Sequence, residues 1–236
     1  AVDNLTTTIE KGEIFCLIGP NGSGKSTTVN LICGVFAASE GAILLNGKDL
    51  GTMPPHLRLR AGMARTFQNI RLFGELTVWQ NLWVARNSSE DIAGQGFLSR
   101  WFGSTKRVRE EIDEILEFAD LADKGDELAA NLAFGEQRRL ELARALATKP
   151  EMLLLDEPAA GMNLEEVMDL DERIRKLRDT GMTILLVEHV MELVMGVADR
   201  IAVLNFGQKI AEGSPVEIQN DPVVQEAYLG VSEDAA

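Results

Sequence analysis

The ten residues GPNGSGKSTT, from Gly19 to Thr28, follow directly after the apolar run IFCLI. From Gly19 to Ser26 they fit the pattern G-x-x-x-x-G-K-[ST] in full. Glycines let the backbone curl so that successive N–H groups point at an anion. A helix that begins near Lys25 adds the positive end of its dipole. The stretch therefore predicts a phosphate-binding loop between a strand and a helix.

Each residue type in this loop has an expected use. The Lys25 ammonium can reach the β- and γ-phosphates of a nucleoside triphosphate, and the Ser26 hydroxyl can bind Mg²⁺. The alternative is a glycine turn with a surface lysine, which the flanking strand and helix disfavour. We expect nucleotide contacts from nine consecutive residues: Gly19, Pro20, Asn21, Gly22, Ser23, Gly24, Lys25, Ser26 and Thr27.

A second polar pair stands at the end of the apolar run in MLLLDEP. Adjacent residues of a strand point to opposite sides, so Asp156 and Glu157 need different functions. Asp156 suits the Mg²⁺ shell facing Ser26, and Glu157 could polarise the water that attacks the γ-phosphate. Alone, an Asp-Glu pair after a strand is more often a turn or a helix cap. Together with the phosphate loop, it favours catalysis.

The order of segments predicts an α/β core interrupted by helices. Short runs bounded by glycine, EIFCLIG and GAILLNGK, predict two strands, and MLLLDE, TILLVE and IAVLN predict three more after Pro150. MLLLDE and TILLVE are continuously apolar, as parallel strands buried on both faces are. A helix over 165–179 lies between them, which makes a βαβ unit and a parallel sheet.

Between about residues 74 and 150 the pattern is helical. In RVREEIDEILEFADLADKG the apolar residues follow i, i+3, i+4, i+7 spacing, and we expect the helix to end near Gly125. The residues of this stripe are Ile112, Ile115, Leu116 and Ala119.

The composition limits the partners. The 236 residues carry a formal net charge of −14 and such a surface repels phosphate backbones, so we expect no nucleic-acid partner. The sequence has no run of about 18 apolar residues and no charged-then-apolar leader, so we expect neither a membrane-spanning helix nor a secretion signal. Cys16 and Cys33 match no metal-ligand spacing, and we expect both in the core.

Further motifs complete a pattern that resembles the ATP-binding-cassette (ABC) ATPases. The segment LAFGEQRRLELARAL, just before EMLLLDEP, is similar to that family's signature segment and its helix. The family's Q-loop glutamine matches Gln68 in ARTFQNIRLF, its D-loop matches AAGMNLEE, and its switch histidine matches His189 in LLVEHV. The motifs stand in the family's order across nearly the whole chain.

This resemblance implies a fold and two ligands, ATP and Mg²⁺. The fold is an α/β P-loop NTPase core of the RecA-like kind, with a mostly parallel sheet, an antiparallel β region and an inserted helical subdomain. We expect one nucleotide-binding domain over 1–236. Its core would comprise 1–73 and 150–236, and its helical subdomain, with the signature segment, would comprise 74–149.

The resemblance also implies functions for the new motif residues. Gln68 would touch the metal or the attacking water, so that Ser26, Gln68 and Asp156 form the metal set. His189 would hydrogen-bond the γ-phosphate or support Glu157, which makes Glu157, His189 and Gln68 the catalytic set. The alternatives are a plain surface glutamine and a histidine satisfied by its neighbours.

The signature residues are implied to act on a neighbour's nucleotide. In the family's fold, the helix that starts near Glu136 is too far from its own phosphate loop and faces the ATP of a second subunit. Two subunits then enclose two nucleotides, which supplies the stabilisation that an arginine finger gives elsewhere. The implied contacts are Ala133, Phe134, Gly135 and Glu136.

The sequence departs from the family's commonest signature, Leu-Ser-Gly-Gly-Gln. Ala133 has no hydroxyl to donate to the partner's γ-phosphate, a bond worth roughly 1.5–3 kcal/mol. Glu136 brings negative charge near phosphate. The D-loop has Asn163 where Asp is usual, and no aromatic residue precedes Glu10, so we expect the adenine-stacking contact to be missing or cut away.

Among ABC ATPases, the segments GPNGSGKST, ARTFQNIRLFGELTVWQNLWVAR, DEPAAGMN and VVQEAYLG most resemble the ATPase subunits of bacterial branched-chain (hydrophobic) amino-acid importers. This implies a second ABC ATPase subunit, two transmembrane permease subunits and, indirectly, a periplasmic binding protein. It places the chain peripherally at the cytoplasmic face of the inner membrane. The alternatives are a lipid- or drug-exporting ABC ATPase, a soluble ABC ATPase acting on DNA or ribosomes, and a nucleotide-binding regulator without turnover.

Aromatic residues in the helical region suggest a surface for a membrane partner. For the residues of TVWQNLWVA, packing inside the helical region is an equal alternative. The aromatic and apolar residues concerned are Trp79, Leu82, Trp83, Phe97, Leu98, Trp101 and Phe102.

Overall fold

The computed structural model describes residues 2–66, 70–89 and 105–229. The strands in these ranges are β1 (Ile14–Ile18), β2 (Leu44–Leu45), β3 (Lys48–Asp49), β4 (Met63–Arg65), β5 (Met152–Asp156), β6 (Thr183–Val187), β7 (Arg200–Asn205) and β8 (Gln208–Gly213). The α-helices are α1 (Lys25–Ile32), α2 (Pro55–Arg60), α3 (Val78–Ser89), α4 (Thr105–Phe118), α5 (Phe134–Ala147), α6 (Leu164–Asp179), α7 (Met191–Val197), α8 (Pro215–Asn220) and α9 (Pro222–Leu229). No helix in these ranges combines the length and the apolar character that crossing a membrane requires.

One sheet in the described ranges contains six strands in the order β4-β5-β6-β1-β7-β8. β1 pairs in parallel with β6 and β7, so that Cys16 stands opposite Leu186 on one side and Ile201 on the other. β5 pairs in parallel with β4 and β6, whereas β7 and β8 are antiparallel. This sheet confirms the predicted α/β fold class. Because parallel strands end at the same edge, the segments after β1, β5 and β6 meet there.

Both faces of the sheet are buried, and alternate residues of each strand go to opposite faces. On β1, Ile14 and Cys16 pack into a core with α6 and α7, whereas Phe15 and Leu17 pack into a second core with α1. Cys16 and Cys33 are buried free thiols, as predicted, and burial raises the pKa of both.

A third core lies among the helices between β4 and β5. Its buried residues come mainly from α3, α4 and α5, and Leu140 is fully enclosed. Ile112, Leu116 and Ala119 of the predicted stripe are buried in it, and Ile115 is partly buried. Burial of one apolar stripe provides most of the stability of such helices. The assignment of residues 74–149 to a separate subdomain stays a prediction.

Two hairpins differ from the sequence prediction. The segment GAILLNGK, predicted as one strand, forms β2 and β3 around Asn46 and Gly47, whose φ values are 50° and 75°. Asn-Gly is the preferred pair for such a turn because both central residues take positive φ. Strand β8 was not predicted at all. It follows β7 through a similar turn at Phe206 and Gly207, with φ values of 46° and 84°.

The helix predicted to end near Gly125 ends earlier, at Phe118. Asp120 takes a left-handed φ of 54°, which turns the chain out of the helix. The next backbone N–H, that of Leu121, then donates to the carbonyl oxygen of Leu116 at 2.9 Å. This is the usual closing bond of a helix C-terminus, with aspartate at the position that glycine usually takes.

Candidate functional site

The phosphate loop runs from the end of β1 to the start of α1, and two of its glycines are required by its shape. Gly19 has a φ of 150°, and a Cβ there would lie 2.1 Å from the carbonyl oxygen of Leu204 on β7. Gly24 has a φ of 107° and is the N-cap of α1, so the N-terminus of this helix opens onto the loop. Five further residues that are predicted to contact the nucleotide are exposed or half-buried: Pro20, Asn21, Gly22, Ser26 and Thr27.

The Lys25 side chain is folded into this loop. Its Nζ donates to the carbonyl oxygens of Gly19, at 2.6 Å, and Pro20, at 3.0 Å. Burial lowers the pKa of Lys25, and the negative charge of Glu157 raises it. The hydroxyl of Ser23 is buried and has no hydrogen-bond partner among the described residues. A buried cation and an unsatisfied hydroxyl in one loop fit an anionic ligand such as phosphate.

Asp156, at the end of β5, is linked to α1 through an arginine. The Arg65 Nη2 atom donates to Asp156 Oδ2 at 2.7 Å, and its Nη1 atom donates to Asn30 Oδ1 at 2.9 Å. Asn30 lies one helical turn after Ser26 on the same face of α1. The guanidinium of Arg65 therefore links the end of β5 to the face of α1 on which Ser26 also lies.

The ligand chemistry fits Mg²⁺. In the described part of the chain, no group of three or more His, Cys, Asp or Glu side chains could hold a metal ion by itself. Mg²⁺ usually keeps several waters and takes one or two protein ligands together with phosphate oxygens. Ser26 and Asp156 meet that description. Gln68, the third predicted ligand, lies outside the described residues.

Glu157 directly follows β5 in a strained backbone conformation. Its φ is 48°, in the left-handed region that non-glycine residues rarely adopt. Its N–H donates to the carbonyl oxygen of Val187, at the end of β6, at 2.8 Å. Its side chain is 19% exposed, and its Oε2 atom lies 4.0 Å from Nδ1 of His189. Two predicted catalytic residues from different strands thus stand together at the edge where the phosphate loop begins.

His189 follows β6, and its side chain is 57% exposed. The residue before it, Glu188, is completely buried. Glu188 Oε2 lies 3.3 Å from His189 Nδ1 and accepts a hydrogen bond from the backbone N–H of His189 at 2.6 Å. Glu188 is not among the residues predicted from the sequence motifs. The sequence does indicate it in one way, because Glu188 continues the apolar run of LLVEHV. A carboxylate buried by such a run needs hydrogen-bond donors around it.

The signature segment leads into α5, with Ala133 as the N-cap. Glu136 Oε2 accepts the N–H of Ala133 at 2.9 Å, and its Oε1 accepts a hydrogen bond from Lys124 Nζ at 2.5 Å. The bond from Lys124, followed by the backbone bond from Ala133, lowers the pKa of Glu136. The negative charge of Glu136 is therefore balanced within the chain, which reduces the repulsion of phosphate that the sequence predicts.

Gly135 packs against the start of α6, where the D-loop ends. A Cβ at Gly135 would lie 2.7 Å from Glu166 Oε1. Glu166 Oε2 accepts the N–H of Asn163 at 2.8 Å, and Asn163 Oδ1 accepts the N–H of Glu166 at 3.1 Å. This reciprocal pair caps α6, a function for which Asn and Asp are about equally suited. The signature segment and the D-loop are thus in contact within one chain.

The predicted aromatic surface divides into a buried and an exposed part. Leu82 is fully buried, and Trp79 packs against the helical core, with the Arg109 guanidinium 6.0 Å from its ring centre. Trp83 is 45% exposed. The remaining members of the predicted surface lie outside the described residues: Phe97, Leu98, Trp101 and Phe102.

Tyr228, on α9, also reaches the phosphate loop. Burial raises the pKa of Tyr228, and a hydrogen bond with the Gly19 backbone lowers it. No local sequence pattern indicates this contact, because its two partners come from opposite ends of the chain.

Comparisons with known proteins agree with this geometry. The sequence profile of the ABC transporter family matches residues 2–160, and a profile described as branched-chain amino acid ATP-binding cassette transporter matches residues 208–234. The chain is 44% identical to the high-affinity branched-chain amino acid transport ATP-binding protein LivG of Salmonella typhimurium, over 98% of this chain and 92% of that protein.

Two solved structures are similar to this chain. An ATP-binding cassette of an ABC transporter in its ADP conformation has a TM-score of 0.84 at 33% identity, covering 98% of this chain and 92% of its own. A dimeric cassette in a post-hydrolysis state, bound to ADP and Pi, has a TM-score of 0.76 at 25% identity, covering 91% of this chain and 90% of its own.

Proposed function

The chain belongs to the ABC transporter family of ATPases, and we propose that it is the ATP-hydrolysing subunit of an importer for branched-chain or other hydrophobic amino acids. The importer assignment is supported by LivG, which is named for branched-chain amino acid transport. It is also supported by the second profile match over 208–234, a range that begins with β8 and includes α8 and α9.

The observation that carries the ATPase proposal is the meeting of three elements at one sheet edge. The phosphate loop follows β1, the acidic pair lies at the end of β5, and His189 follows β6. At this edge, Glu157 Oε2 lies 4.0 Å from His189 Nδ1. The negative charge of Glu157 also offsets part of the lowering of the Lys25 pKa by burial. A site with a cation for phosphate beside a carboxylate for water suits hydrolysis of a triphosphate.

We assign metal binding to Ser26, Gln68 and Asp156. The bound Mg²⁺ would neutralise charge on the β- and γ-phosphates. Two contacts seen in this conformation must change when ATP binds. Lys25 must exchange the loop carbonyl oxygens for phosphate oxygens, and Asp156 must exchange the guanidinium of Arg65 for the metal. The first exchange replaces neutral acceptors of the Lys25 ammonium by charged ones. The second releases Nη2 of Arg65 from Asp156, while its Nη1 atom can still donate to Asn30.

In the catalytic step, the Glu157 carboxylate orients and polarises the attacking water. Glu157 has a left-handed backbone conformation directly after β5. In a regular strand its side chain would lie on one face of the sheet, whereas this conformation holds it beyond the end of the strand. His189 hydrogen-bonds the γ-phosphate or steadies Glu157, and Gln68 contacts the metal or the water.

We propose that the chain pairs with a second ABC ATPase, identical or related, so that two ATP molecules lie between the phosphate loop of one subunit and residues 133–136 of the other. The solved dimeric cassette supports this pairing. The helix α5 supports it too, because its N-cap has no side-chain acceptor to use its first N–H groups. Residues 74–149 would then move as one helical subdomain when the pair closes.

We further propose that two transmembrane permease subunits dock on this chain at the cytoplasmic face of the membrane and receive cargo from a periplasmic binding protein. The exposed aromatic rings of Trp83, on α3, and of Phe73, just before the helical region, support a docking surface. The net charge of −14 disfavours a nucleic-acid partner.

The test is reconstitution. The chain is copurified with its membrane subunits, inserted into lipid vesicles, and assayed for ATP hydrolysis with a binding protein that carries leucine, isoleucine or valine. Hydrolysis should rise with the loaded binding protein and labelled leucine should accumulate. Lys25→Ala in the same complex should abolish both signals. Stimulation by a lipid or drug instead of the amino acids would replace the importer proposal with the exporter alternative.

A further inference from the structure

Glu188 is a fully buried carboxylate between two loops, the segment after β5 that carries Glu157 and the segment after β6 that carries His189. Its Oε1 atom accepts the backbone N–H of Ala159 at 2.9 Å, two residues after Glu157. Its Oε2 atom accepts the N–H of His189 at 2.6 Å and the N–H of Val190 at 3.3 Å. One side chain therefore joins the segment that carries Glu157 to the segment that carries His189.

The surroundings of Glu188 suit a fixed negative charge. No Lys or Arg side chain in the described part of the chain forms an ion pair with it. Backbone N–H donors on both oxygens therefore provide its stabilisation. A carboxylate with donors from two loops fixes the distance between them, because moving either loop would leave a buried charge without a partner.

The same carboxylate faces the histidine ring. Nδ1 of His189 lies 3.3 Å from Glu188 Oε2, against 4.0 Å from Glu157 Oε2. A carboxylate acts as a hydrogen-bond acceptor, so its position favours a proton on the ring nitrogen beside it. Nε2 is then the ring atom left to face the nucleotide. Carboxylates orient functional histidines in this way at other catalytic and metal sites.

We propose that Glu188 is a positioning residue of the hydrolysis site: it sets the spacing of Glu157 and His189 and holds the His189 ring with protonated Nδ1 toward its own carboxylate. This inference rests on the proposed ATPase function. It concerns a residue that itself touches no nucleotide, because it is enclosed beneath both loops.

The test variant is Glu188→Gln, which keeps the shape but replaces one acceptor oxygen by an amide that cannot accept. One of the two loops must then lose its bond. We expect kcat of the reconstituted complex to fall roughly 10- to 100-fold, while the Kd for ATP changes less than about twofold because the phosphate loop is untouched. The matched control is Glu192→Gln, an exposed carboxylate in the first turn of α7, which should leave kcat unchanged.

A second readout is independent of activity. The chain has two histidines, His56 and His189, so His56→Asn leaves the His189 ring alone in long-range proton–nitrogen correlation spectra. We expect the Nδ1-protonated form in the parent protein and a smaller share of it in Glu188→Gln, because a neutral amide oxygen is a weaker acceptor than a carboxylate. Glu188→Asp keeps the charge but is shorter, so it should keep the ring form while lowering kcat.

The outcomes are separable. An unchanged ring signal together with unchanged kcat in folded Glu188→Gln would overturn the proposal, and so would equal losses of kcat and ATP affinity with an unchanged ring. If Glu188→Gln does not fold, Glu188→Asp is the test, and unchanged kcat in that variant overturns the proposal. Failure of the ATPase proposal would show instead as absent hydrolysis in the parent complex, whatever the ring signal.

Discussion

The phosphate loop and the signature segment both place glycine at the start of a helix, yet they are built in opposite ways. The loop carries its own cation, Lys25, and a buried hydroxyl without a partner among the described residues. In the signature segment, Ala133 provides no hydroxyl, and the charge of Glu136 is already balanced by Lys124.

This difference indicates which of the two sites can bind phosphate without a second subunit. The loop has a buried cation and an unsatisfied hydroxyl that an anion can satisfy, so we expect it to bind phosphate within one chain. The signature segment offers backbone N–H groups at a helix N-terminus and little else. We therefore expect it to act only after another subunit has brought a phosphate to it.

The largest expected effect tests whether ATP hydrolysis depends on residues at the phosphate-loop site rather than on the signature segment. Glu157→Gln removes the carboxylate that orients water, so hydrolysis should fall by roughly a hundred- to ten-thousandfold. Binding of ATP should change little, as measured by equilibrium titration with a fluorescent analogue. Glu165→Gln, an exposed carboxylate in the first turn of α6, is the control. Equal hydrolysis in the two variants would remove Glu157 from the mechanism.

The next effect tests how tightly the loop is built. Gly19 and Gly22 both have positive φ, but a Cβ at Gly19 meets Leu204 O at 2.1 Å, whereas one at Gly22 meets nothing within 4 Å. Gly22→Ala should lower the free energy of unfolding by about 1–2 kcal/mol through backbone strain. Gly19→Ala should lower it by roughly 1–3 kcal/mol more through overlap. Thermal unfolding measures both, and similar losses would mean that the neighbouring strand yields easily.

A smaller effect tests the signature segment. Ala133→Ser supplies the missing hydroxyl, and hydrolysis should rise about tenfold if the new bond forms in the transition state. The gain should be seen only under conditions in which two subunits pair. Ala130→Ser, an exposed residue in the preceding 3₁₀ turn, is the control. A gain that persists in dilute, unpaired protein would place the hydroxyl's target within the same chain.

The smallest effect concerns stability away from both sites. Burial raises the pKa of Glu111, but hydrogen bonds from Lys149 and Arg86 outweigh it and lower that pKa to about 2. Since this value lies below the ordinary 4.5, the carboxylate stabilises the folded protein above that pH and loses the effect as pH falls toward 2. Glu111→Gln should therefore lower the free energy of unfolding by about 1 kcal/mol at neutral pH.

Urea unfolding of the parent and of Glu111→Gln at several pH values measures this difference. It should shrink steadily below about pH 4.5, and the control Glu110→Gln, whose carboxylate is mostly exposed, should show almost none. A difference that stays constant down to low pH would indicate packing rather than charge.

Local patterns predicted the site better than they predicted its supports. The phosphate loop and the acidic strand end depend on consecutive residues, so spacing alone was enough to predict them. Glu188 and Tyr228 act through residues distant in the chain, and no single-sequence pattern encodes such contacts. The β2–β3 hairpin is different, because its Asn46-Gly47 pair was a readable turn signal. Gln68 and the residues 97–102 lie outside the described ranges, and their functions stay predictions.

The Arg65 guanidinium is paired with Asp156, so an incoming metal ion would compete with it for the Asp156 carboxylate. The chain supplies an internal counter-ion for this carboxylate, the planar guanidinium of Arg65. A bare divalent ion would have to break this charged hydrogen bond with nothing to offer the displaced guanidinium. An ion that arrives on a triphosphate brings new negative partners with it. If Asp156 binds the metal as proposed, the pair would favour nucleotide and metal entering together over metal alone.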